Sequence, residues 1–146
     1  MRTRLGKTFS WLCLLLVCAC KNPKYREDTR LFNNYLKTYI QTEIPDDTMY
    51  YVVIAEHGCE GCIGKTVTKL KNNRKALFIV NENSFRKYIE PKDVPADKYR
   101  IDTTDMIRRL KFHQHNLGIV QTANKEIYNI VYVLYNGADS VLKHVN

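Results

Sequence analysis

Hydrophobic and polar positions alternate along the chain with periods that change from one segment to the next. Between residues 31 and 40 the apolar side chains recur at i, i+1, i+4, i+5, i+8 and i+9, which predicts a helix with one buried face. Asp28 suits the N-cap of this helix, and the turn residues 45 to 47 end it. Residues 50 to 55 and 76 to 80 are instead almost continuously apolar and rich in β-branched side chains. Such runs are typical of strands that are buried on both faces of a largely parallel sheet.

Helical spacing follows each of these two strands. Residues 62 to 71 place apolar side chains on one side and lysines on the other, and residues 83 to 89 predict a second, shorter helix. Further along, residues 99 to 102 predict a short strand, and residues 106 to 115 predict a loosely periodic helix.

The end of the chain predicts a β-hairpin. Residues 129 to 135 have a strand pattern, Asn136-Gly137 is the dipeptide most typical of a two-residue hairpin turn, and residues 140 to 145 are expected to be the returning strand. Strand, helix, strand and helix followed by an antiparallel hairpin predict an α/β fold. Helices should flank a central mixed sheet of about four strands.

The first twenty residues have a different pattern. Basic residues precede an apolar run at residues 9 to 17 that is too short to span a bilayer, and residues 17 to 20 place a small residue before a cysteine. This arrangement resembles a bacterial lipoprotein signal peptide. The resemblance implies cleavage after Ala19 and attachment of palmitate-type acyl chains to Cys20. The protein would then be anchored by lipid in the bacterial cell envelope, facing the periplasm, with the outer membrane favoured. An uncleaved N-terminal membrane helix is the alternative.

This pattern divides the chain into a signal peptide at residues 1 to 19, a tether at 20 to 28 and one domain at 29 to 146. Without the three basic residues of the signal peptide, 20 basic and 15 acidic residues remain, a net charge of +5. The basic residues are spread along the chain and do not form the aromatic-interleaved stripe that nucleic-acid binders show. We therefore expect no nucleic-acid partner, and a mildly basic face suits anionic lipid headgroups.

Candidate chemistry is concentrated in residues 57 to 62, which read His-Gly-Cys-Glu-Gly-Cys between the first buried strand and the lysine-rich helix. Once the signal peptide is cleaved and Cys20 is acylated, Cys59 and Cys62 are the two cysteines that keep a thiol. A cysteine at a helix N-terminus is stabilised as a thiolate, because unpaired backbone N–H groups and the helix dipole favour the anion. The spacing predicts that Cys59 is a nucleophile and that Cys62 can resolve a mixed disulfide.

Three neighbours are expected to tune this thiolate. Glu60 should raise the pKa of Cys59, whereas Lys65 and any proton on His57 should lower it. His57 also suits a polar cap at the end of the preceding strand, and both interpretations stay open.

A strand that ends in C-x-x-C at a helix start, a second strand–helix unit and a closing hairpin with Asn-Gly at its turn together resemble the thioredoxin-like fold. The likeness covers residues 31 to 145. It implies thiol–disulfide exchange with protein thiols and disulfides, with Cys59 as the nucleophile, Cys62 as the resolving cysteine and no cofactor beyond the dithiol. Whether such exchange amounts to enzymatic turnover stays open.

In the family that the chain resembles, a cis-proline precedes the strand of the closing hairpin and presents the substrate to the cysteines. Counting back from Asn136-Gly137, the matching position is Asn129, so Tyr128 and Asn129 are expected to line the substrate groove. There is no proline at this position, and a cis bond without proline costs about 3 kcal/mol, which predicts a trans peptide and an altered groove.

Two alternatives to exchange remain. One is a non-catalytic lipoprotein of the same fold that binds a partner, which the missing proline favours and the two cysteines oppose. The other is a zinc or copper site made by His57, Cys59 and Cys62 with His113 or His115, since this ligand set suits tetrahedral geometry. On a helix the two distant histidines would point in different directions, so we favour exchange and predict no bound metal.

Overall fold

The computed structural model describes residues 23 to 55, 59 to 89, 91 to 110, 117 to 133 and residue 145. Three α-helices and five strands are present in this part of the chain. In chain order they are α1 (Arg26–Tyr35), β1 (Met49–Ile54), α2 (Glu60–Leu70), β2 (Ala76–Asn81), α3 (Glu82–Tyr88), β3 (Tyr99–Asp102), β4 (Leu117–Ala123) and β5 (Glu126–Tyr132). One π-helical turn, Leu36–Ile40, continues α1, and three 3-10 turns lie at Pro23–Tyr25, Ala96–Lys98 and Met106–Arg109.

The strands form one mixed sheet in the order β3-β2-β1-β4-β5. The first three strands are parallel, β4 is antiparallel to β1, and β5 is antiparallel to β4. The predicted α/β class and mixed sheet are therefore confirmed. The sheet has five strands, however, where about four were predicted, and β4 occupies a segment for which no strand was predicted.

The antiparallel pair of strands in the described ranges, β4 and β5, was not predicted. β4 and β5 are joined by Asn124 and Lys125, both with positive φ of 52° and 64°, as a type I′ turn requires. The backbone N–H groups of these two residues donate to the carbonyls of Asp46 and Pro45, which fixes the turn on the rest of the fold. The turn was missed because it has no glycine. Asn136-Gly137, the predicted turn, lies outside the described residues.

Helix boundaries also differ from the prediction. The first helix begins at Arg26, so Asp28 lies in its first turn and does not cap it. The helical backbone ends where Gln41 adopts a left-handed φ of 58°. Of the helix predicted over residues 106 to 115, the described part is a 3-10 turn that ends at Arg109, because Leu110 is already extended. Residues 111 to 115 lie outside the described residues.

The sheet is covered on both faces. On one face α1 and the π-helical turn pack Phe32, Tyr35, Leu36 and Ile40 against Tyr51, Val53, Leu77, Ile79, Val120 and Ile127. On the other face α2 packs Ile63, Val67 and Leu70 against Val52, Ile54, Phe78, Val80 and Ile119. Every residue of β2 is buried, and so is every residue of β1 after Met49, which confirms the pattern that predicted strands buried on both faces.

None of the helices in the described ranges is long and apolar enough to cross a membrane. The predicted signal peptide, its cleavage site and Cys20 lie outside those ranges and remain predictions.

Gly64 lies at an exposed position of α2, where a Cβ atom would meet no atom within 4 Å. Its φ is not positive, so no backbone conformation requires glycine there. Because glycine in a helix is less favourable than alanine, Gly64→Ala should raise the free energy of unfolding by about 0.5 to 1 kcal/mol. Urea denaturation of the two proteins measures this difference, and a loss of stability instead would contradict the open environment of Gly64.

Candidate functional site

The candidate site is the start of α2, where the chain leaves the sheet. β1 ends at Ile54, and after the buried Ala55 and three residues outside the described ranges the chain reaches Cys59. Cys59 is the N-cap of α2, with an extended backbone at φ −60° and ψ 97°, and the helix begins at Glu60. The predicted strand before the motif and the predicted helix after it, with the first cysteine at the helix N-terminus, are confirmed.

Cys59 and Cys62 form a disulfide, with their Cα atoms 5.2 Å apart. The two sulfurs have different surroundings. Cys62 is buried, with 4% of its surface exposed, and packs in the core beneath α2, whereas Cys59 is half-buried at the edge of that core. Of the two cysteines, Cys59 is therefore the more exposed to solvent.

A helix N–H group points at the accessible sulfur. The backbone N–H of Cys62 donates to the Sγ atom of Cys59 over 3.2 Å, and this contact satisfies one of the N–H groups that a helix leaves unpaired at its start. One turn further, the hydroxyl of Thr66 donates to the carbonyl of Cys62 over 2.8 Å, and Thr66 is fully buried. Both cysteines are thus held by the first two turns of α2.

The carboxylate beside Cys59 has a cationic partner on another helix. Glu60 forms an ion pair with Lys87 in the last turn of α3. Hydrogen bonding to Glu60 raises the pKa of the Lys87 ammonium. Sequence reasoning placed Glu60 and Lys65 near the thiolate but missed Lys87, since nothing local connects residues that are 27 positions apart. Lys65 is exposed on α2.

The histidines of the predicted site lie outside the described residues. This applies to His57, for which tuning and capping roles were considered, and to His113 and His115 of the metal alternative. Among the residues that are described, no group of three or more His, Cys, Asp and Glu side chains could hold a metal ion.

Tyr128 and Asn129 are not brought to the cysteines. Asn129 lies opposite Gln121, and Gln121 lies opposite Tyr50 near the beginning of β1. The side-chain amide of Asn129 also donates a hydrogen bond to that of Gln121 over 3.1 Å. Burial, with a hydrogen bond to Tyr50, raises the pKa of Tyr128. At about 3.3 Å per residue, Tyr50 is roughly 13 Å before the end of β1 that leads to Cys59.

The expectation for these two residues rested on a count from the wrong turn, because β5 already begins at Glu126. At the end of the sheet that leads to the cysteines, Leu117 lies opposite Ile54, and the N–H of Val133 donates to the carbonyl of Leu117. Among the described residues all peptide bonds are trans, including the one at Asn129.

Comparison of the chain with protein-family models, with curated proteins and with solved structures found no match in any of the three. The interpretation of its function therefore depends on the chemistry of the Cys59–Cys62 pair and on the fold that positions it.

Proposed function

We propose that this protein is a lipid-anchored protein of thioredoxin-like fold that exchanges electrons with protein thiols and disulfides through Cys59 and Cys62. The observation that carries the proposal is the disulfide at the N-terminus of α2, which joins a half-buried Cys59 to a buried Cys62. A structural staple is the less suitable interpretation, because a loop of four residues contributes little stability by restricting the unfolded chain.

In the reducing direction, the Cys59 thiolate attacks one sulfur of a substrate disulfide. The S–S bond of the substrate breaks, and its second sulfur leaves as a thiolate that takes a proton from solvent. Cys62, once deprotonated, attacks the Sγ atom of Cys59 and releases the first substrate sulfur as a thiol. Two electrons have then passed from the dithiol to the substrate, and the protein is left as the Cys59–Cys62 disulfide. The reverse sequence oxidises a substrate dithiol.

The hydrogen bond from the Cys62 N–H group supports Cys59 as the nucleophile. Hydrogen bonds to charged acceptors are stronger than those to neutral ones, so this N–H group stabilises the Cys59 sulfur more as a thiolate than as a thiol. The helix dipole acts in the same direction. A nucleophile that is accessible and a partner that is buried suit the two successive attacks of the exchange reaction.

The order of elements supports a thioredoxin-like fold. The described chain has the strand that leads to C-x-x-C, the helix and the second strand–helix unit on which the resemblance was based. It also has an antiparallel pair of strands, β4 and β5, although this pair turns at Asn124 and Lys125 and not at Asn136-Gly137. β3 adds a fifth strand at one edge of the sheet. The lipid anchor on Cys20 and a location in the cell envelope facing the periplasm depend on the sequence pattern of residues 9 to 20.

The reduction potential of the Cys59–Cys62 pair tests this proposal. The purified full chain is equilibrated with glutathione or dithiothreitol redox buffers, and peptide mass spectrometry reports the state of the two cysteines. We expect a reversible two-electron transition between about −270 and −180 mV, the range of thioredoxins and disulfide isomerases. A Cys59→Ala, Cys62→Ala double variant, which keeps the other cysteines, serves as the control. A disulfide that never forms, or never reopens, would instead favour a non-catalytic lipoprotein of the same fold that binds a partner.

A further inference from the structure

The ion pair between Glu60 and Lys87 joins α2 to α3 at the residue that follows Cys59. Glu60 is the first residue of α2 and follows Cys59 in the chain, and Lys87 reaches it from the last turn of α3. The ammonium of Lys87 also lies 5.4 Å from the ring centroid of Tyr88, a second favourable contact. Because the partners are on different helices, the pair depends on the tertiary fold.

We infer that Lys87 is a positioning residue for the exchange site, which holds the Glu60 carboxylate and offsets its charge next to Cys59. This inference rests on the proposed function. A carboxylate beside a thiol disfavours the thiolate, and a nearby ammonium favours it. With Lys87 in place the two charges largely cancel at the sulfur, so the helix N-terminus decides the reactivity of Cys59. Without it, the negative charge of Glu60 opposes the helix.

Other charged side chains on the two helices are Lys65 and Lys69 on α2 and Glu82 and Arg86 on α3, all exposed. His57 precedes Cys59 outside the described residues. Of these side chains, only Lys69 is changed below, in the control variant. The side chains of Glu60 and Lys87 are themselves 66% and 42% exposed, so solvent screens the pair and the expected effect is moderate.

The rate at which iodoacetamide alkylates Cys59 tests the inference. The reduced full chain is treated over a range of pH, and mass spectrometry of the peptides follows Cys59 separately from the other cysteines. Lys87→Met should move the rate curve to higher pH and slow alkylation about threefold at pH values where the thiol predominates. Lys87→Arg should retain the wild-type curve. The double variant Glu60→Gln, Lys87→Met should return close to it, since both charges are then removed.

Lys69→Met is the matched control. Lys69 is exposed on α2, the helix that Cys59 caps, and Lys69→Met changes the net charge by the same amount as Lys87→Met. It lies ten residues beyond Cys59, about 15 Å along the helix axis, which exceeds the Debye length of about 8 Å at physiological salt. Its curve should coincide with that of the wild type.

The two hypotheses fail in different ways. If the disulfide opens and closes reversibly but Lys87→Met has the wild-type curve, or if Lys69→Met slows alkylation equally, Lys87 has no positioning role while the proposed function stands. If the wild-type pair shows no reversible transition against glutathione or dithiothreitol, the proposed function fails whatever the lysine variants do.

Discussion

Cys59→Ser should abolish thiol–disulfide exchange, whereas Cys62→Ser should keep the first half of the reaction and stop at a mixed disulfide. The difference follows from the position of the two sulfurs. Cys59 is the half-buried N-cap that a substrate can reach, and Cys62 lies beneath it in the core. Serine at position 59 removes the nucleophile, so the rate should fall to that of the reaction without protein.

The Cys62→Ser variant lacks the sulfur that resolves the mixed disulfide. Its Cys59 should still attack a disulfide, because the N–H group that stabilises the thiolate belongs to the backbone and is retained at residue 62. We expect a covalent adduct that persists until dithiothreitol is added.

Oxidised glutathione and a synthetic peptide disulfide are suitable probes, with the adduct mass located on Cys59 by peptide mass spectrometry. The double variant Cys59→Ser, Cys62→Ser is the control, since it should form no adduct at this site. If Cys62→Ser also forms none, the exchange hypothesis loses its main support and the non-catalytic binding protein becomes the better interpretation.

Local patterns predicted the part of the fold that carries the cysteines. The apolar runs of β1 and β2 are buried on both faces, and Cys59 caps α2 as predicted, although the helix begins at Glu60, two residues before the start that its spacing predicted. These features depend on neighbours in sequence, namely the period of the side chains and the capping position, so one sequence is enough to show them.

Features that depend on distant residues were missed. β4 follows directly after a segment with loose helical spacing, and its turn at Asn124 and Lys125 lacks the glycine that usually marks a hairpin. A count from the wrong turn then placed Asn129 near the cysteines, although it pairs with Gln121 towards the opposite end of the sheet. The Lys87 partner of Glu60 is equally a product of packing between helices, and no periodicity reveals it.

Asp102 is another residue whose role only the fold reveals. It ends the edge strand β3 with 1% of its surface exposed. Its carboxylate accepts hydrogen bonds from the Tyr35 hydroxyl at 3.0 Å, the Ile107 N–H at 2.8 Å, and the N–H and hydroxyl of Thr104 at 2.8 and 2.6 Å. One carboxylate thus joins α1, the end of β3 and the 3-10 turn that follows.

Asp102→Ala should lower the free energy of unfolding by about 3 kcal/mol, because it leaves buried donors at Tyr35 and Ile107 without their acceptor. Urea denaturation gives the difference. Asp97→Ala is the matched control, since Asp97 is exposed in the neighbouring 3-10 turn and its loss should change stability by no more than about 0.5 kcal/mol. Equal, small effects of both substitutions would contradict the role assigned to Asp102.

The same carboxylate should make stability depend on pH. Burial raises the pKa of Asp102, but the hydrogen bonds from Thr104, Ile107 and Tyr35 outweigh burial and lower it overall from its usual 3.8. The folded state then binds this proton less tightly than the unfolded state does. Its contribution to stability is therefore complete above a pH of about 4 and is lost as the pH falls through the lowered pKa. In urea denaturation between pH 2 and 6, Asp102→Asn should lose less stability on acidification than the wild type, and parallel curves would exclude this carboxylate as a source of the pH dependence.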